Sequence, residues 1–184
     1  MDSSYTYLTL SSQASNSEPV SATSPDSDFA CNFTEPLRFD TAVDVAVVSI
    51  TLNIANQPDE DAADELDCYI LSSIVKPETF VADERTALLR RIVVNQINQR
   101  QHFTFPDLRF VACSERTINR VRIQLATDSF TKSKTSTVEL HNIQEPNRAA
   151  DVAARRNEVS ITLAFRAQRQ KVTDLVGIGG RAKY

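Results

Sequence analysis

Glycine is nearly absent: the chain of 184 residues has three, and Gly177, Gly179 and Gly180 all lie within its last eight positions. The body therefore turns on Asp, Asn, Ser and Pro, and it has no glycine-rich loop to cradle a phosphate. Tryptophan is missing and there are two histidines, His102 and His141. Neither has a partner at HxxxH or HExxH spacing, so both read as structural or exposed. The three cysteines, Cys31, Cys68 and Cys113, are far apart, odd in number and without CxxC spacing. This excludes a full disulfide framework and a zinc site and leaves buried free thiols. No apolar run approaches the ~20 residues of a membrane span. The opening MDSSYTYLTLSS has neither a basic nor an apolar signal region, so no secretory leader is expected and the sequon at Asn32 reads as chance.

A basic excess is also lacking. Formal charge is −4 and the pI about 5.2, which disfavours general nucleic-acid binding, since phosphate binding needs clustered Lys and Arg. Arg85, Arg90 and Arg91 cluster locally. Arg148, Arg155, Arg156, Arg166, Arg169 and Lys171 thicken the C-terminal third. A solvated or subunit-facing surface accounts for both.

The hydrophobic fraction of 41% suffices for one domain with a core. Residues 1–27 are a polar arm carrying a small apolar-aromatic cluster, Tyr5, Tyr7, Leu8 and Leu10, expected to dock on its own domain or on a neighbour. From Asp28 to residue 170 the apolar residues alternate. Phe29, Cys31 and Phe33 form one strand, broken or edged by Pro36. Val43, Val45 and Val47 begin another. Its phase then slips, so that Val48, Ile50, Leu52 and Ile54 are apolar, which requires a β-bulge or a change of sheet near Val47-Val48. Residues 58–67, PDEDAADELD, are an acidic loop. Strands follow at 68–75, 102–112, 121–125, 135–143 and 158–166. Residues 145–157 are a polar connection with room for a short helix. Asp83 caps an expected helix over 84–98, on the i, i+4 spacing of Leu88 with Ile92 and Leu89 with Val93. Residues 171–184 are a tail. About eight short, half-buried strands with one short helix argue for an all-β fold: an antiparallel β-sandwich, a single jelly roll.

The search for chemistry is negative. Ser72, Ser73 and Ser114 lack a GxSxG context, Cys113 lacks an oxyanion hole, and the acids at 59–67 lack the glycine and spacing of an EF-hand. No catalytic, cofactor-binding or metal-binding residue is assigned, and the chain is not expected to be an enzyme.

Three segments in order carry a resemblance. YTYLTLSSQASNSEPVSATSPDSDFACNF, with Tyr5, Tyr7, Leu8, Ser15, Asn16, Ser17 and Phe29, resembles the opening of penton-type minor capsid proteins of the Polinton, virophage and adenovirus-like lineage of double-stranded DNA viruses. EPLRFDTAVDVAVVSITL, with Pro36, Leu37 and Val45 to Leu52, is similar to their next element, without the Trp the family often has there. INRVRIQLATDSF and NEVSITLAFR are similar to the family's closing strands. In the tail, Leu175, Gly177, Ile178 and Gly179 resemble a site cut by adenovirus-type maturation proteases. The resemblance implies a non-enzymatic virion protein, made inside a host cell: a penton or minor capsid subunit in a ring of five copies, set among major capsid proteins, with no cofactor, membrane or specific nucleic-acid contact. In that setting the arm tethers the subunit, and Arg155, Arg156 and Arg166 are candidates for inter-subunit pairs with the acidic loop. The alternative is a β-sandwich receptor- or carbohydrate-binding module. An enzyme on a cupin-like jelly roll is a third reading, opposed by the isolation of the two histidines.

Overall fold

A computed structural model describes residues 5–21, 27–53, 65–81, 84–95, 100–127 and 158–168. Its strands are β1 (Thr6–Ser11), β2 (Ser17–Pro19), β3 (Asp28–Arg38), β4 (Val43–Asn53), β5 (Glu65–Ser72), β6 (Thr79–Val81), β7 (Glu84–Thr86), β8 (Leu88–Asn95), β9 (Arg100–Thr104), β10 (Val111–Ala112), β11 (Thr117–Thr127) and β12 (Ser160–Ala167). One sheet runs β1-β12-β4, with β9 and β10 sharing the far side of β4. The other runs β2-β3-β11-β5-β8, and β6-β7 is a separate hairpin. Every strand pair is antiparallel.

The order of the longer strands gives the topology. Taking β9 and β10 as one interrupted strand, the eight principal strands in chain order are β1, β3, β4, β5, β8, β9/β10, β11 and β12. The first sheet then holds the first, eighth, third and sixth, and the second sheet holds the second, seventh, fourth and fifth. That is the connectivity of a jelly roll. The two inner faces close on one apolar cluster, with Phe29, Ile50, Leu52, Ile123, Ile161, Leu163 and Phe165 all essentially inaccessible to solvent.

The phase slip in β4 is a bulge. Thr162 of β12 faces Ser49, the next residue Leu163 faces Val47, and Val48 is skipped. The extra residue lets Val43, Val45 and Val47 before it, and Ile50 and Leu52 after it, all enter the core. Its carbonyl is not orphaned, because the Phe105 N–H donates to it at 2.8 Å. A second irregularity falls at Pro36: Ile118 faces Leu37 but Arg120 already faces Asn32, so residues 33–36 of β3 loop out opposite Asn119. A proline lacks the N–H that a central ladder needs.

The expected helix over 84–98 is corrected: its described residues form β7 and β8. The misleading signal has a physical origin. Arg90 faces Ile70 while Leu88 faces Leu71, leaving Leu89 as a bulge residue. One extra residue puts Leu89 and Ile92, three apart, on the same buried face, which imitates helical spacing. Beyond it, strict alternation returns, with Ile92 and Val94 buried and Arg91 and Val93 exposed. The run of β-branched residues suits a strand.

The polar arm is also not separate from the domain. β1 pairs with β12 from Thr6–Phe165 to Ser11–Ser160, and β2 pairs with β3. Residues before 28 thus supply an outer strand to each sheet, so the expected boundary at 27/28 is not a boundary of the fold. The strand expected over 102–112 is split into β9 and β10 by a loop containing Pro106. The expectations for 135–143, 145–157 and the tail 171–184 lie outside the described residues.

All three cysteines are free and buried. Burial pushes the Cys68 thiol up to about 12 and the Cys113 thiol to about 11, from an ordinary 9.0, and raises Cys31 as well. Two outcomes are expected. Leu163→Ala, in the centre of β12, lowers the free energy of unfolding by about 2–5 kcal/mol in a urea titration. A thiol with a raised pKa stabilises the fold fully below its ordinary value, because the unfolded chain is the first to lose the proton. Stability measured against pH is therefore steady from this source below 9 and falls as pH rises from 9 towards 11 and 12.

Candidate functional site

Alternation along β1 sends its residues two ways. Leu10 is buried in the core and Leu8 packs against it, whereas Tyr5 is 40% and Tyr7 59% exposed. The two leucines of the predicted arm are thus held by the chain's own sandwich, and the two tyrosines stand on its outer surface.

Around them the outer face of the first sheet is built in cross-strand rows. Tyr7 faces Ala164 of β12, Ala164 faces Ala46 of β4, and Arg166 faces Asp44. Ala46 and Ala164 point away from the sandwich core, yet both are 0% exposed. Larger side chains cluster on the same face. The Tyr5 ring stacks on Phe110 at 5.8 Å with an 11° tilt, Tyr7 lies 6.2 Å from Tyr5, and the Arg166 guanidinium sits 3.8 Å above the Phe110 ring. The result is a small external apolar cluster, with Tyr7 as its most exposed ring. Ring stacking of this kind is worth about 0.5–1.5 kcal/mol and an exposed cation–π contact about 0.5–1 kcal/mol.

Arg166 has its anionic partner inside the chain. Its Nη2 lies 3.4 Å from Asp44 Oδ2, and Asp44 Oδ1 accepts from Gln168 Nε2 at 2.8 Å. This pair sits within the chain and leaves the Arg166 side chain 42% exposed. Arg155, Arg156, Leu175, Gly177, Ile178 and Gly179 lie outside the described residues. The acidic stretch does pair locally where it is described, Asp67 with Arg91 across the β5–β8 ladder.

The second sheet presents a different outer face, laced by arginine–carboxylate pairs. Arg120 reaches Glu18 at 2.6 Å, an exposed pair of small worth. Arg122 grips Asp28 with two bonds of 2.7 Å, from Nε and Nη2. This pair is better protected, because Asp28 is buried, and the carboxylate holds the arginine further in its charged form. Beside it lies a cavity of about 270 Å³ between the end of β5, β7 and β11, lined by Leu71, Ser73, Arg85, Thr86, Arg122 and Gln124 among others.

His102, the described histidine, bonds Thr51 Oγ1 through Nδ1 at 2.7 Å on the outside of the first sheet. Among the described residues no three His, Cys, Asp or Glu side chains gather as metal ligands, and no helix is long and apolar enough to cross a membrane.

Sequence reading found Tyr5, Tyr7 and Arg166 but missed Phe110, Asp44, Asp28 and Arg122. One signal was present: Ala46 and Ala164 occupy outward phases of two strands, where polar residues are usual, and so mark a covered patch. The Asp28–Arg122 pair, 94 residues apart in sequence, carries no local signal. No protein-family model matches the chain, and no curated protein matches it in sequence.

A double-mutant cycle between Tyr5→Ala and Phe110→Ala, read by denaturant unfolding, is expected to return a coupling of about 0.5–1.5 kcal/mol. A coupling of zero removes the stacked pair from the account.

Proposed function

We propose that the chain is a structural virion protein, a penton or minor capsid subunit that works by packing against copies of itself in a ring of five and against major capsid proteins. The observation that carries the reading is the strand order. A single jelly roll is one of the architectures from which capsid shells are built, and the three segments that resemble penton-type proteins occupy β1 to β3, β3 to β4, and β11 with β12. A cyclic array needs one surface on each subunit that matches a second surface on the next. Tyr5, Tyr7 and Phe110 supply a fitting contact. Interfaces are enriched in tyrosine, phenylalanine and arginine, and these rings are already ordered by their stacking, so little conformational freedom is lost when a neighbour covers them.

The same exposed rings favour a second reading, a receptor- or carbohydrate-binding module, since sugars present apolar faces to aromatic side chains. The two readings differ in what happens to the purified chain. Light scattering after size-exclusion chromatography, alone and after co-expression with a major capsid protein, is expected to give a species of five times 20.5 kDa or its incorporation into shells. Tyr7→Asp, which buries a charge at the contact, is expected to reduce assembly at least about tenfold, as a loss of 1.4 kcal/mol or more would, with the fold's melting behaviour kept. A chain that stays monomeric, is left out of shells and binds a glycan through Tyr7 overturns the capsid reading in favour of the module.

A further inference from the structure

Hydrogen bonding across the first sheet shows which main-chain groups its two edges leave over. In an antiparallel ladder, residues that exchange both bonds with the partner strand alternate with residues that point theirs away. At the β1 edge, the Ser12 N–H donates to the Val159 carbonyl at 2.9 Å, in the register that pairs β1 with β12. Counting back by twos, Leu10 and Leu8 bond to β12, and Thr9 and Tyr7 turn their N–H and C=O groups to the open edge. At the β9 edge, the Phe105 N–H donates to the Val48 carbonyl at 2.8 Å, in the register that pairs β9 with β4. Phe103 therefore bonds to β4, and Thr104 and His102 turn their groups to the open edge. Among the described residues no strand pairs with either edge. Each edge also leaves one apolar side chain incompletely covered on the inner face. Leu8 of β1 and Phe103 of β9 pack against the core and are only partly buried.

We propose that the β1 edge of one copy adds antiparallel to the β9 edge of a second copy, so that the first sheet continues from subunit to subunit. The inference rests on the assembly reading and names the surface through which copies meet. Strand direction selects the occupant. β1, β12, β4 and β9 are successive antiparallel neighbours, so β1 and β9 point in opposite directions. A second copy brought alongside by rotation about an axis along the strands keeps its core on the same side and sets β9 antiparallel to β1. Pairing β1 with another β1 is isologous and stops at two copies. The β1–β9 contact is heterologous, and such contacts close into rings when the rotation allows. Side chains set the register. With Leu8 opposite Phe103, Tyr7 faces Thr104 and Thr9 faces His102. These are the residues with open main-chain groups, and each pair exchanges both bonds. Leu8 and Phe103 form the closer, non-hydrogen-bonded pair and cover one another. A shift of two residues one way sets Leu8 against the polar Gln101. The opposite shift sets Tyr7 against Pro106, which has no N–H to give. No Asp, Glu, Lys or Arg lies between Tyr5 and Ser11 or between Gln101 and Thr104, so the strands approach without like-charge repulsion. The Tyr7 ring stands on the outer surface beside the joint, which ties the edge contact to the aromatic contact.

The test uses the full chain. Leu8→Cys and Phe103→Cys chains, mixed and oxidised, are expected to form a disulfide between copies, because Cα atoms of such a pair lie about 4.5 Å apart, within disulfide range. The double variant is expected to give a covalent ladder that closes at five copies on a non-reducing gel. Neither single variant is expected to cross-link by itself, since the native cysteines are buried. Thr9→Pro deletes an N–H that points to the open edge and not into the β1–β12 ladder, a place where proline is tolerated. It is expected to keep the melting behaviour of the isolated chain and to weaken assembly at least about tenfold. In the unaltered chain, amide exchange at Tyr7, Thr9, His102 and Thr104 is expected to slow at least about tenfold on assembly, a readout independent of how the variants fold. A Leu8→Cys chain that cross-links to itself, mixed chains that do not cross-link, or a folded Thr9→Pro chain that assembles like the wild type overturns the proposal. If rings or shells form while those four amides stay unprotected, this inference fails and the capsid reading stands. If positions 8 and 103 cross-link but no species of five copies forms and the chain is left out of shells, the capsid reading fails and the edge contact stands.

Discussion

Strand β4 carries the first sheet, because β12 lies on one side of it and β9 and β10 on the other. It can do so only because Val48 is left out of the ladder with β12. In an unbroken strand, a register that sends Val43, Val45 and Val47 inward would turn Ile50 and Leu52 to water. The bulge resets the phase and buries both sets. It also frees the Val48 carbonyl, which Phe105 then caps. That bond anchors the loop between β9 and β10, and the loop ends at Phe110, where the external aromatic cluster begins. One inserted residue thus links the inner core to the outer surface.

The sandwich is closed by cations as well as by hydrocarbons. Arg90, on the edge strand of the second sheet, lies 3.8 Å over Phe105 at the edge of the first, and its Nη1 bonds the Asp107 carbonyl at 3.1 Å. Burial, and then the nearby Arg109, lower its pKa, but an arginine stays charged through such a shift. Arg166 lies over Phe110 at the other end of the same loop. The loop of residues 105–110 is therefore held at both ends by a guanidinium on an aromatic face. Lysine would not replace either arginine, because a flat, weakly hydrated cation is what stacks.

The strands and their bulge were legible because alternation is a local property. Apolar phase can be followed residue by residue, and the slip at Val47-Val48 is visible as a slip. The same logic failed at Leu88 to Val94, where a bulge at Leu89 produced a spacing of three and the reading went to a helix. Distinguishing the two needed the partner strand: Ile70 and Leu71 of β5 fix where the extra residue sits. The outer surface was less legible. Tyr5 and Tyr7 could be picked out by type, but the pairing of Arg166 with Asp44 and of Arg122 with Asp28 depends on which strands become neighbours. Sheet order is set by the closure of the whole chain, and no short window of sequence contains it.

Sheet edges are where a β fold most easily accepts a further strand. An open strand edge offers unpaired N–H and C=O groups, and proteins guard such edges with charge, proline, bulges or shortness. β2 has three residues and ends in Pro19. β8 carries Arg90, Arg91 and the Leu89 bulge. The β9–β10 edge is interrupted by the loop with Pro106. β1, with the sequence TYLTLS, has none of these devices over its six residues, and among the described residues it pairs on one side only, with β12. It carries the exposed Tyr7, and the exposed Tyr5 immediately precedes it. An unguarded edge next to an ordered aromatic cluster combines main-chain hydrogen-bonding capacity with apolar area, the two ingredients of strand addition between subunits. Solubility alone does not explain such a surface, since a single lysine on β1 would have guarded it.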